Sequence, residues 1–158
     1  MVRIQNLLER ELIVDDLLAT DKAGVIRELA VLVAGRGKVK DADELVRVIL
    51  DRESQGSTGI GDGIAIPHAK SRAVSDTVVV FGRSRQGVDF ETLDGKPAYL
   101  FFLLISPEDR PGEHLKTLAR ISRLMRNAIL RDRLRACADP AEIQRLIYDE
   151  DGKYPVCR

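Results

Sequence analysis

Several residue types are scarce in this sequence, and each shortage removes a class of function. There is no tryptophan, and aromatic residues make up 4% of 158 positions. Twenty-five basic side chains are cancelled by 25 acidic ones, and no basic block is mixed with aromatic rings. The chain therefore lacks both the positive field and the stacking surface of a nucleic-acid binder. Two cysteines, Cys137 and Cys157, occur without a Cys-x-x-Cys pair, which leaves no disulfide framework and no thiolate metal cluster. The longest apolar run, residues 98–105, is far short of the roughly 20 residues a membrane helix needs, so direct membrane insertion is not expected. Arg3, Glu9 and Arg10 fall where a secretory signal would need its apolar region. The composition reads as that of a soluble, cytoplasmic chain.

What the sequence does have is a core. Apolar residues make up 44% of it, enough for a single domain over residues 1–158 with a tail expected to fray from about 150. Residues 11–18 carry Leu12-Ile13-Val14, a first strand. Thr20 or Asp21 caps a helix to about 34, with Val25, Ile26, Leu29, Leu32 and Val33 on one face. Asp41 and Glu44 form a capping box for a second helix, whose inward face holds Leu45, Val48 and Ile49. Strands are expected at 64–66, 77–82 and 98–105, with a short edge segment at 87–90 and an Asp94-Gly95 turn. The run at 98–105 is apolar throughout, as a central strand is. Helices follow at 113–125, at 129–136, and from the Asp139-Pro140 cap to about 148. This order points to an α/β fold with a mixed sheet flanked by helices.

Chemistry concentrates around Gly59-Ile60-Gly61-Asp62-Gly63-Ile64-Ala65-Ile66-Pro67-His68. Glycines at alternate positions free the backbone to turn and to offer its N–H groups, and Pro67 sets the direction in which His68 leaves the strand. The second histidine, His114, stands four, seven and eleven residues before Leu118, Ile121 and Met125, in the first turn of an amphipathic helix and on its inward side. Arg52 continues the inward face of the second helix. Each has a plain structural explanation, a satisfied core histidine or an arginine stem lying on apolar surface. All three residues aimed inward favour a shared anion. Neutral imidazole is a competent nucleophile near pH 7, and a phosphoryl group calls for fixed donors: Arg52, His114 and the amides of 59–63. A metal site from His68, His114 and Asp62 or Asp109 has no ligand spacing behind it. A hydrolase using Ser57 or Ser106 has no nucleophile elbow.

Arg52-Glu53, Gly56-Ser57-Thr58-Gly59-Ile60-Gly61, Gly63-Ile64-Ala65-Ile66-Pro67-His68 and Glu113-His114-Leu115 together resemble the type 2 (mannitol/fructose-type) enzyme IIA domain of the bacterial phosphotransferase system, over nearly the whole chain. The resemblance implies a three-layer α/β/α fold. It implies that His68 accepts a phosphoryl group, originally from phosphoenolpyruvate, from an HPr-type histidine phosphocarrier, without metal or organic cofactor. Arg52 and His114 would line its pocket, and Thr58, Gly59, Gly61 and Gly63 would form a phosphate loop. The loop is most similar to that of the nitrogen-related enzyme IIA, whose targets include potassium-transport components and sensor kinases. The alternatives are a sugar-transport enzyme IIA serving a separate permease component, and a binding module of the same fold that exchanges no phosphate. Asp62 stands where asparagine is common and Ala69 where glycine is common; an ionised Asp62 is expected to point away from a phosphohistidine.

Overall fold

The most apolar stretch of the sequence forms the middle of the structure. In the computed structural model, which describes residues 3–155, β6 (Ala98–Pro107) pairs on one side with β5 (Val78–Val88), antiparallel, and on the other with β3 (Ile64–Ala65) and β4 (His68–Ser71), parallel. Both faces of β6 are covered, and Phe101 to Ile105 are completely buried. That is the condition under which a strand reads as an unbroken apolar run. Phe102 meets Phe81 edge-on at 5.1 Å, and Phe101 meets Phe90 in the same way at 5.4 Å. β1 (Ile13–Val14) adds parallel to β5, and β2 (Gly59–Gly61) adds antiparallel to β3, completing a mixed six-stranded sheet among the described residues.

The helices are α1 (Lys22–Gly35), α2 (Ala42–Glu53), α3 (Pro111–Met125), α4 (Ala128–Ala136) and α5 (Pro140–Gly152). α1 and α2 pack on each other and against β5 and β4, α3 and α4 lie on β6, and α5 packs on α4 and β1. The result is the expected three-layer arrangement. Asp21, Asp41, Asn127 and Asp139 accept hydrogen bonds from the first free amides of α1, α2, α4 and α5. The Asp41 N–H does not make the reciprocal donation of a capping box, because the Glu44 carboxylate turns to Arg47 at 2.5 Å. Among the described residues, no helix is long and apolar enough to cross a membrane.

β3 and β4 lie end to end along one side of β6. Ile64 is opposite Leu100, Ala65 opposite Phe101 and His68 opposite Leu104, in constant register. They are one strand interrupted at Ile66 and Pro67, where proline has no N–H to give the ladder. The Pro67 carbonyl still accepts from Leu104 N, so the strand does not shift, while Ile66, whose N donates to Thr58 O, faces the opposite edge and keeps its carbonyl outside the β6 ladder.

Other elements differ from expectation, each for a local reason. The first strand is two residues long, not eight: beyond Val14 the backbone is held by buried Arg83, whose Nε reaches the Asp15 carbonyl and whose own carbonyl accepts from Leu17 N. The segments at 77–82 and 87–90 are one strand, β5, with an irregularity between Arg83 and Val88. At Gly87 (φ +84°) a Cβ would meet the Tyr99 ring at 2.7 Å, so only glycine closes this bend. The tail does not fray where expected. α5 runs to Gly152, Asp151 is fully buried, and Arg120 binds its carboxylate at 2.5 Å and the carbonyls of Asp151, Tyr154 and Pro155. That clamp joins residues 31 or more positions apart, beyond any local pattern. Cys157 lies outside the described residues.

Candidate active site

Two helix ends converge on the point where β4 begins. Val48 and Arg52 occupy successive turns of α2, as His114 and Leu118 do on α3. All four line one open cavity of about 620 Å³ together with His68, Lys70 and Leu115. Val48 and Leu118, which helical periodicity assigns to the core, are only partly buried and form the walls. The face that is core along most of each helix becomes a pocket wall at its end. Arg52 and His114 share that face and therefore point into the cavity.

His68 is half-buried at the start of β4. Its Nδ1 lies 2.6 Å from the Ile66 carbonyl. A carbonyl only accepts, so Nδ1 carries the proton and Nε2 is left with the lone pair. Burial lowers the pKa of His68 below the usual histidine value. The bond to Ile66 opposes this, Arg52 adds to it and Glu53 opposes it. The ring is thus neutral at pH 7.

His114 is buried beside it, with ring centroids 5.6 Å apart and planes tilted by 48°. Its Nδ1 meets the Oγ of fully buried Ser106 at 2.8 Å. Burial, and then the neighbouring His68 and Lys70, bring its pKa down to about 4. Its place in the first turn of α3 acts in the same direction, since the positive end of the helix dipole disfavours imidazolium. Arg52 is half-buried; its Nη1 donates to Gly56 O at 3.0 Å, which leaves donors of the guanidinium free.

The structure brings together His68, His114 and Arg52, but not the expected phosphate loop. Thr58, Gly59, Gly61 and Gly63 do not line the cavity. Thr58 N and Oγ1 donate to the buried Glu53 carboxylate, Gly59 N to Ser57 Oγ, and Asp62 N to the Asp94 carboxylate. The glycines serve a hairpin instead: Gly61, Asp62 and Gly63 have φ of 97°, 57° and 78°, the left-handed turn that brings β2 back alongside β3. Alternating glycines suit an anion nest and a tight hairpin equally well, and sequence alone does not separate the two. Asp62 is exposed at the hairpin and is not part of the cavity wall.

Three contributors escaped the sequence reading. Lys70 lies two positions after His68, on the same side of β4, and is the pocket's second cation. Glu53, next to Arg52 but turned the other way, ties Lys22 Nζ at 2.7 Å to the start of the loop at Thr58. Ser106, weighed only as a nucleophile, is sealed beneath His114 and orients it. Ser57, the other hydroxyl considered, donates to Phe90 O. Among the described residues, no three His, Cys, Asp or Glu side chains gather in a metal-binding group.

Residues 6–150 match the family model described as phosphoenolpyruvate-dependent sugar phosphotransferase system, EIIA 2. The chain is 42% identical over 143 residues to a Bacillus subtilis protein named PTS system fructose-specific EIIABC component; the match covers 90% of this chain and 22% of that protein. It is 37% identical over 145 residues to a Bradyrhizobium diazoefficiens protein named nitrogen regulatory protein, covering 91% of this chain and 94% of that one. Among solved structures, the nitrogen regulatory protein IIA-Ntr of Neisseria meningitidis superposes with a TM-score of 0.86 at 30% identity, over 91% of this chain and 98% of that one. Enzyme IIA-mannitol of Escherichia coli, solved in complex with phosphorylated enzyme IIB-mannitol, superposes with a TM-score of 0.77 at 25% identity, over 90% and 99%.

Proposed function

Since this chain belongs to the EIIA 2 family of the phosphoenolpyruvate-dependent sugar phosphotransferase system, and so is a phosphoryl carrier of that system, we propose that His68 is the residue that takes up the phosphoryl group. The observation that carries this is the bond from His68 Nδ1 to the Ile66 carbonyl. It fixes the tautomer and leaves Nε2 as the nucleophile, in a cavity that also holds Arg52, Lys70 and His114.

The donor is an HPr-type phosphohistidine. As its P–N bond breaks, a new P–N bond forms to His68 Nε2, in line, with the transferred oxygens spread in the equatorial plane. Positive charge builds on the attacking ring, and the Ile66 carbonyl stabilises it through the Nδ1 proton. Arg52 and Lys70 offset the negative charge of the oxygens. His114 donates from Nε2, which requires the Ser106 hydroxyl to donate to His114 Nδ1. Since imidazole is both leaving group and nucleophile, the rate comes from positioning and charge.

We read residues 1–158 as one such domain, working in the cytoplasm. Its outlet is regulatory control of the nitrogen-related kind, acting on target proteins such as potassium-transport components or sensor kinases. Matches over nearly the full length of two nitrogen regulatory proteins support that reading. The 42% identity to a fructose-specific protein supports a second outlet, transfer to an EIIB or permease component.

Incubation with radiolabelled phosphoenolpyruvate, enzyme I and HPr is expected to add one acid-labile phosphate, which His68→Ala abolishes. Equal labelling of that variant overturns the assignment. Labelled protein that passes its phosphate to a fructose-type EIIB favours the second outlet.

A further inference from the structure

The outward side of α3 carries a second depression, of about 350 Å³. Its surface is apolar, built from Leu115 (65% exposed), Ala119 and Pro155. Every charged side chain lining it is a cation: Lys116, Arg120, Arg123 and Arg126. Arg120 is neutralised by Asp151, and Arg123 lies over the Tyr154 ring at 4.1 Å. Lys116, Arg123 and Arg126 have no carboxylate partner among the described residues. Leu115 lines this depression and the histidine cavity alike, so the two are neighbours that share one wall residue.

We propose that this groove docks an acidic segment of a partner protein, which seats an apolar side chain against Leu115, Ala119 and Pro155 while its carboxylates face Lys116, Arg123 and Arg126. Exposed apolar surface rimmed by charge of one sign gains from both terms only when the occupant has an apolar centre and acidic flanks. A bilayer fits less well: the site is concave, and its three unpaired cations fall short of the four to eight that make a polybasic lipid-binding patch. A nucleic acid would need a free aromatic face, and Arg123 already covers Tyr154. The proposal concerns the unphosphorylated protein and stands independently of the assignment of His68.

Fluorescence anisotropy tests it with a fluorescein-labelled helical peptide whose leucines, at helical spacing, are flanked by glutamates. Saturable binding to the wild type is expected. Ala119→Trp, which fills the groove from an exposed helix position, is expected to weaken it at least about tenfold, and so is the charge-reversed pair Lys116→Glu with Arg126→Glu. The matched pair Lys40→Glu with Arg145→Glu, of equal charge change outside the groove, is expected to stay within about twofold of the wild type. Circular dichroism checks each fold; should Ala119→Trp misfold, the two charge pairs decide. The proposal is overturned by absence of binding to the wild type, by an equal loss in both charge pairs, by equal binding of a peptide with serine in place of leucine, by undiminished binding to folded Ala119→Trp, or by binding to phosphatidylserine vesicles in place of the peptide.

Discussion

Lowering the pH below 6.5 should destabilise this protein through His114, by an amount that its surroundings set. The imidazole is buried and faces His68 and Lys70, which together hold its pKa at about 4. In the unfolded chain it returns to 6.5. The unfolded state therefore binds the proton first as pH falls. Above 6.5 both states are neutral and His114 adds no slope; the loss develops between 6.5 and 4 and is complete below 4. At 1.36 kcal/mol per unit, the span corresponds to about 3 kcal/mol. The lowered pKa of His68 acts in the same direction. Carboxylates also titrate near the lower end, so the clean comparison is wild type against His114→Gln by urea unfolding at each pH. The stability advantage of the wild type should shrink by about 3 kcal/mol from pH 7 to pH 4. In NMR, the His114 ring should titrate near 4, and phosphorylation of His68 should raise that value by placing an anion beside it. A ring that titrates at 6.5, or a stability difference that stays constant with pH, refutes the environment inferred for His114.

Three other substitutions probe the site separately. Arg52→Gln is expected to slow phosphoryl uptake about ten- to a hundredfold, the equivalent of about 1.5–3 kcal/mol for a charged hydrogen bond, with little change in urea midpoint because the side chain's bond within the fold is to Gly56 O. A normal labelling rate would remove Arg52 from the reaction. Glu53→Ala should cost about 3 kcal/mol of stability, read by urea unfolding, by leaving the Thr58 amide and hydroxyl without their acceptor and Lys22 with only exposed Glu91 at 3.7 Å; near-wild-type stability would mean that this network does not hold the loop. Ser106→Ala should cost about 1 kcal/mol and slow labelling less than His114→Gln does, since the ring remains but its tautomer is no longer set. Unchanged labelling would mean that Ser106 only packs.

Much of the fold could be read locally. Residues 98–105 are apolar without alternation, and an unbroken run of that length in this chain is stable only as the middle of a covered sheet. Pro67 before His68 could be read the same way, because proline acts on its immediate neighbours whatever the tertiary setting. Helical periodicity put Arg52 and His114 on inward faces. It could not say that inward means core at Val25 and pocket at Val48, since that depends on where each helix ends relative to the sheet. The glycines at 59, 61 and 63 were legible as a turn, but the turn they make is a hairpin outside the cavity, where Gly59 N donates to Ser57 Oγ and Asp62 N to the Asp94 carboxylate.

By itself, then, the sequence determined how His68, Arg52 and His114 each leave their own element, because that is a property of a few consecutive residues. Tertiary structure alone decided that the end of α2, the start of α3 and the break between β3 and β4 meet at one cavity. It also decided that Ser106 lies beneath His114, and that Arg120 holds residues 151–155 to α3. These are encounters between segments far apart in the chain, and they exist only once β6 has been buried between the helical layers and has fixed the distance between them.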